Sequence, residues 1–323
     1  MVRSDDSVSL SALARLGFAE LSEASANIAE LADLLGVDRA TLLEGAVAAD
    51  PDAAVDGLLR VARRDAKPVA ALFTRADARR SAWRLFGASN GFADFFLRHP
   101  GEISVLAEPI TVLPSADELR RRLLDAVGAH DGFAASGDDS EVVALRVAYR
   151  RNLAAIAAFD LSAHNPVMVV PDVAAALADI AGAALEASLA VARTRLADTL
   201  RREQVAATQL AVIGMGKAGA RELNYVSDVD VIFVGGTSDE EIVEEARAID
   251  IATRLARETM RGLSGIEVEP PLWEVDAALR PEGKQGALVR SLSSHLAYYD
   301  RWAKSWEFQA LLKARPLAGD ADR

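Results

Sequence analysis

Along the first two-thirds of the chain, apolar residues recur at three- and four-residue intervals, the spacing of amphipathic helices. Ser9 or Ser11 is placed to cap a first helix carrying Leu13, Leu16 and Phe18. Over 26–48, Ile28, Leu31, Leu34 and Leu35 share one face, and Gly36 ends the run. Asp50-Pro51 opens another helix, with Val55, Leu58, Leu59 and Val61 inward. Segment 80–106 sets Trp83, Phe86, Phe92, Phe95, Phe96 and Leu97 around a GASNG turn. Ser115 and Glu118 make a capping box for a helix to about Val127, and HDGFAASGDDS (130–140) reads as a loop. The helix expected from Glu141 to Asp160 carries Arg146, Arg150 and Arg151, which default to a solvated face. Pro171-Asp172 starts the longest pattern, which predicts one helix over 171–204.

After Val205 the period changes. β-branched runs predict strands over 208–213 and 229–234, and Ser238 with Glu241 caps a helix to about Arg261. Residues 265–279, with Pro270-Pro271 inside, read as a hairpin or a kinked strand. A final helix, capped by Ser291 or Ser293, aligns His295, Tyr299, Trp302, Trp306 and Ala310 in a stripe expected to pack inward. The fold class expected is α+β and predominantly helical. A helical domain over 1–170 precedes a core over 171–323, led by the long helix 171–204. No internal repeat is present.

Composition narrows the partners. Of 323 residues, 51% are hydrophobic and 26% charged, which is a folded protein's balance, and the net charge is −12. That acidity argues against a nucleic-acid-wrapping surface, which needs many basic contacts to phosphate. There is no cysteine, so disulfides, thiolate catalysis and Cys-ligated zinc are excluded. No membrane partner is expected, because no run of about 18 apolar residues is evident. The start, MVRSDDSVSL, has acids where a signal peptide needs a basic end, so the expected setting is the cytoplasm. His99, His130, His164 and His295 lack metal-ligand spacing.

The stretch TQLAVIGMGKAGARELNYVSDVDVIFV (208–234) concentrates glycine and fixed negative charge. Gly214, Gly216 and Gly219 match G-x-G-x-x-G after a strand, a dinucleotide signature. However, only eight residues separate Gly219 from Asp228, short for a crossover helix. In a strand, residues i and i+2 lie on one face about 6.7 Å apart, so Asp228 and Asp230 converge while Val229, Val231 and Phe233 face the core. Carboxylates at about 5 Å repel by roughly 3 kcal/mol at an effective dielectric of 20. A divalent cation reverses that cost, and oxygen-only ligands point to Mg²⁺ or Mn²⁺. Asp276, in the apolar run PLWEVDAAL, is the natural third ligand, since a charge there needs a partner. Taken singly, a D-x-D at a strand entrance is commonly a solvated turn, and a glycine turn commonly only a turn.

GMGKAGARELNYVSDVDVIFV and VDAALRPEGKQGALV resemble the nucleotidyltransferase superfamily, most closely the bifunctional glutamine synthetase adenylyltransferase/adenylyl-removing enzymes. The family pattern is GMGKxGGxEL, SDxDLIF, VDxxLRPxG and WExQALxKAR, the last appearing here as WEFQALLKARPLAGD at 306–320. LFGASNGFADFFLRHPGE and ALRVAYRRNLAAIAAFDL extend the likeness into the helical part. Ala220 departs from the pattern's second glycine. The resemblance implies a small mixed sheet of nucleotidyltransferase type and two similar halves in family members. The N-terminal half removes AMP from a tyrosine of glutamine synthetase by phosphorolysis and releases ADP; the C-terminal half attaches AMP from ATP. This chain looks like the N-terminal half. The same resemblance implies Mg²⁺ (or Mn²⁺) on Asp228, Asp230 and Asp276, and a phosphate cradle from Gly214, Gly216, Gly219 and Ser227. Lys217, Arg280, Lys313 and Arg315 are implied phosphate contacts. Glutamine synthetase is the implied protein substrate, with a PII-type signal protein as a further partner.

Overall fold

Caps written into the sequence set the N-terminal elements. The Ser9 hydroxyl accepts from the Ala12 N–H at the head of helix Leu10–Arg15, and Asp50 accepts from Ala53 at the head of Pro51–Arg64. Helix Leu21–Leu35 ends at Gly36, whose left-handed backbone (φ +67°) closes it. The computed structural model describes residues 9–320, so the acidic start over 1–8 lies outside it. The described residues divide into two units. One comprises the chain up to Leu113 together with Arg150–Val170; the other comprises Pro114–Tyr149 and everything from Pro171 onward.

The first unit is entirely helical among the described residues. Helices Arg39–Leu43, Ala66–Leu72, Ala76–Ala88 and Asn90–Arg98 and the 3₁₀ turn Pro100–Leu106 join the three already given. Val55, Leu58, Leu59, Val61, Trp83, Phe86, Phe95 and Phe96 are fully buried, as their spacing predicts, whereas Leu34 is exposed. Phe86 and Phe96 stack with centroids 5.7 Å apart. The indole N–H of Trp83 donates to the Leu42 carbonyl at 3.0 Å, which satisfies the one polar atom of a fully buried ring.

The second unit holds the sheet. Its strands are β1 (Thr208–Gly214), β2 (Val229–Thr237), β3 (Val275–Asp276), β4 (Val289–Ser291) and β5 (Arg315–Gly319). β1 pairs antiparallel with β2 on one side and with β5 on the other. Along β2's remaining edge, β3 pairs parallel with residues 229–230 and β4 pairs parallel with residues 233–235. The sheet is therefore small and mixed, within an α+β and mainly helical protein, as expected. Helix Glu245–Ser264 packs on β1 and β2. Helix Pro166–Ala197 reaches the same layer: Ser188 donates to the Thr259 carbonyl at 2.9 Å, and Glu186 accepts from the Gly319 N–H at 2.5 Å.

Several expectations are corrected. Residues 114–149 group with the sheet rather than with the helical unit, so the two units do not divide at 170 alone. Arg146 shows why. It is not on a solvated face but fully buried, donating to the carbonyls of Gly262 (2.9 and 3.0 Å), Gly265 (2.9 Å) and Glu269 (2.6 Å). The long helix begins a turn earlier, at Pro166, and stops at Ala197; Arg202–Ala207 is a separate helix. Contrary to expectation, Pro166–Ala197 is long and apolar enough to cross a membrane. Here its residues from Val173 to Leu196 are largely buried within the fold, with Asp179 among them. Only Val275–Asp276 of 265–279 forms strand, because Pro270 and Pro271 have no N–H for a ladder. The last helix is two, Leu292–Arg301 and Ser305–Leu311, and Trp302 and Trp306 are 73% and 50% exposed rather than packed. Strands β4 and β5 were not anticipated.

Removing the Arg146 guanidinium withdraws the donors that the Gly262, Gly265 and Glu269 carbonyls share. Arg146→Met is expected to cost about 3 kcal/mol or more in urea unfolding. A change within about 0.5 kcal/mol would show that these bonds are dispensable.

Candidate active site

The connection between β1 and β2 decides what the glycine turn is. The two strands are antiparallel, so 208–234 is not the parallel βαβ unit that binds a dinucleotide. β1 ends at Gly214, and residues 216–219 form a single helical turn. The Met215 N–H donates to the Asp230 carbonyl at 2.8 Å, which ties the turn to β2.

The three acids meet on one face. Asp230 and Asp276 are direct partners in the parallel pairing of β2 with β3, and Asp228 lies two residues upstream of Asp230. One carboxylate oxygen from each lies within 4.8 Å of the others. Val229, Val231 and Phe233 are fully buried on the opposite face, as the alternation requires. Burial, then the charges of Asp228 and Asp276, push the Asp230 carboxyl above its ordinary range, with Lys217 opposing. Asp276 accepts from the Ala278 N–H at 2.7 Å. The Ser227 hydroxyl donates to the Asp228 carbonyl at 2.8 Å and lies 3.4 Å from its carboxylate. A close set of oxygen donors, one of them raised by burial and by the charges of the other two, fits a hard divalent cation.

The glycines divide by role. Gly216 has φ +50°, and a Cβ there would sit 2.6 Å from Asp230 Oδ2, so it lets the turn lie directly against the acids. Gly219 lets the backbone at Lys313 approach, since a Cβ would meet that carbonyl at 1.9 Å. Gly214 packs beneath the Leu317 side chain. The N–H groups of Met215, Gly219 and Ala220 are engaged inside the turn or by β2, which narrows the expected cradle to 216–218 and Ser227. Ala220 is unstrained (φ −76°); the left-handed position falls one residue later, at Arg221 (φ +59°). A non-glycine residue there costs about 1 kcal/mol or more.

The basic residues are used unevenly. Lys217 lies 3.2 Å from Asn224 Oδ1, and Lys313 pairs with Glu222 at 2.7 Å. Arg280 donates to the carbonyls of Ala277, Lys284 and Gly286, bracing the loop that follows Asp276. Arg315 donates to the carbonyls of Ala218 and Gly219, both at 3.2 Å, and burial lowers its pKa. The structure thus spends both arginines on holding backbone around the acids. Asp179, Arg221 and their link to Arg315 were missed; the available signal was a lone aspartate in the alanine-rich run ALADIAGAAL.

A family model described as glutamate-ammonia ligase adenylyltransferase matches residues 80–323. The chain belongs to the glutamate-ammonia ligase adenylyltransferase family. It is 56% identical over 322 residues to the bifunctional glutamine synthetase adenylyltransferase/adenylyl-removing enzyme of Leifsonia xyli subsp. xyli, covering 98% of this chain and 32% of that protein. Enzymes of the same description from Streptomyces avermitilis and Cutibacterium acnes are 44% and 40% identical, over 97% and 96% of this chain and 30% and 32% of theirs. The chain spans about a third of the length of the relatives it matches.

Because folding raises the Asp230 pKa, the contribution of this group to stability is full below pH 3.8 and is lost as pH rises through the folded value. Asp230→Asn removes that loss. At pH 7 without divalent cations the variant is expected to melt above the parent. The gap closes toward acid pH. Equal melting temperatures at pH 7 would contradict the raised carboxyl.

Proposed function

We propose that this chain carries the adenylyl-removing activity of a glutamine synthetase-modifying enzyme, working by phosphorolysis in the cytoplasm. The observation that carries the reading is the juxtaposition of Asp228, Asp230 and Asp276 across β2 and β3, one oxygen of each within 4.8 Å of the others. Likeness to the N-terminal, AMP-removing half of family members supports the direction of reaction. The relatives' names carry both activities, so the chain's share of them is argued from motif likeness.

An oxygen of inorganic phosphate attacks the phosphorus of the tyrosyl-AMP diester. The bond from that phosphorus to the tyrosyl oxygen breaks, the tyrosine regains its proton, and ADP leaves. Asp228, Asp230 and Asp276 would hold Mg²⁺ or Mn²⁺, which when bound supplies charge neutralisation at the phosphoryl oxygens. Positioning and electrostatics dominate such a transfer. Ser227 fixes the segment bearing Asp228, and the Ala278 N–H orients Asp276. Gly216 keeps the turn low enough for a phosphoryl group to reach the acids, and Lys217 is the basic residue whose charge acts on Asp230.

The same carboxylates serve AMP transfer from ATP, so two incubations separate the directions. With adenylylated glutamine synthetase and phosphate, ADP is expected; with unmodified enzyme and ATP, no AMP incorporation is expected. The reverse pattern would reassign the chain to AMP transfer, and activity in neither would remove the enzymatic reading. Asp228→Asn is expected to lower ADP release by at least about 10³-fold with its far-UV circular dichroism unchanged, a loss on the scale of removing one electrostatic group from a transfer site.

A further inference from the structure

The one-turn helix 216–219 has few internal bonds to hold itself in place; at its end the Ala218 carbonyl takes only a long 3.4 Å bond from the Arg221 N–H, and the Gly219 carbonyl lies beyond the turn's own ladder. Both needs are met from Asp179. This residue sits mid-way along helix Pro166–Ala197 with its side chain only 4% exposed, and its two oxygens face two arginines. Arg221 Nη2 donates to Oδ2 at 2.5 Å, and Arg315 Nη1 lies 3.7 Å from Oδ1. Arg315 then caps the turn by donating to the carbonyls of Ala218 and Gly219. Arg221 leaves the turn's other end in the left-handed conformation that aims its side chain back at Asp179. At the turn's head, Met215 is bonded to the Asp230 carbonyl, and Gly216 leaves less than a methyl group's room beside the Asp230 carboxylate.

We infer that the Asp179–Arg221–Arg315 cluster is the positioning device of the acid site: it clamps the glycine turn from behind and thereby fixes Gly216 against Asp230. None of the three residues touches the reacting atoms, so they act through the turn. The clamp explains two features that packing alone leaves idle, a buried carboxylate in an alanine-rich helix and a non-glycine residue at positive φ beside a glycine-rich turn. It also accounts for Arg315, which the phosphate-contact reading would have sent to the substrate. The inference rests on the metal-site reading of Asp228, Asp230 and Asp276.

Arg221→Gly tests it cleanly. Glycine accepts the left-handed backbone, so the substitution adds no strain at 221 while it cuts the link to Asp179 and frees the turn to shift. Mn²⁺ binding, followed by the paramagnetic signal of the free ion, is expected to weaken about 10- to 100-fold, the loss that outer-shell partners of metal ligands produce. The metal-free melting temperature should stay within about 2 °C of the parent, and Arg221→Lys should recover part of the affinity. A variant that melts lower but binds Mn²⁺ as tightly as the parent would overturn the positioning role and leave a purely structural one. If the parent itself binds no Mn²⁺, or binds it as well after Asp228→Asn, the metal reading falls and takes the inference with it. Equal binding by parent and Arg221→Gly overturns the inference alone.

Discussion

Three like charges share one corner of a small sheet, and most of what surrounds them holds them there against their own repulsion. Burial and the neighbouring charges of Asp228 and Asp276 push the Asp230 carboxyl above its ordinary range. The parallel pairing of β3 with β2 is what forces Asp276 beside Asp230, and β3 is only two residues long. So short a strand has little ladder of its own. Its place depends on Arg280 bracing the loop after it and on the Ala278 N–H held by Asp276 itself.

The same logic extends outward. The glycine turn reaches the acids because Gly216 lacks a side chain, and the turn is anchored at its far end by Arg315 and Arg221 on Asp179. Behind these, Arg146 gathers the carbonyls of 262, 265 and 269, where the chain leaves helix Glu245–Ser264 on its way to β3. Arginine serves this work because its fixed fork meets several carbonyls at once and keeps its charge even when buried. Around the site, Arg146, Arg280 and Arg315 are spent on backbone carbonyls, and Arg221 and Arg315 on the buried Asp179.

Much of this was legible in the sequence, for reasons that differ by element. The acid pair was readable because strand alternation fixes which residues share a face, and the buried Val229, Val231 and Phe233 are the other half of that pattern. Asp276 was readable because a lone charge in an apolar run needs a partner. The dinucleotide alternative, already weakened by the short interval from Gly219 to Asp228, fell to the antiparallel register of β1 with β2, a strand direction that no local motif encodes. Arg146 was not legible, because a basic residue looks the same in the sequence whether it faces solvent or three backbone carbonyls. The exposed Trp302 and Trp306 failed differently, because a helical stripe was extended across a break that falls between Arg301 and Ser305. Strands β4 and β5 are three and five residues long, too short for alternation to register.

The central claim is that Asp228, Asp230 and Asp276 together hold a divalent cation. Anomalous diffraction from crystals of the chain soaked in Mn²⁺ tests it most directly. The account predicts a peak within coordination distance of carboxylate oxygens from all three residues, absent from crystals of Asp276→Asn. Mn²⁺ bound only elsewhere, or bound at the site unchanged in that variant, would contradict it.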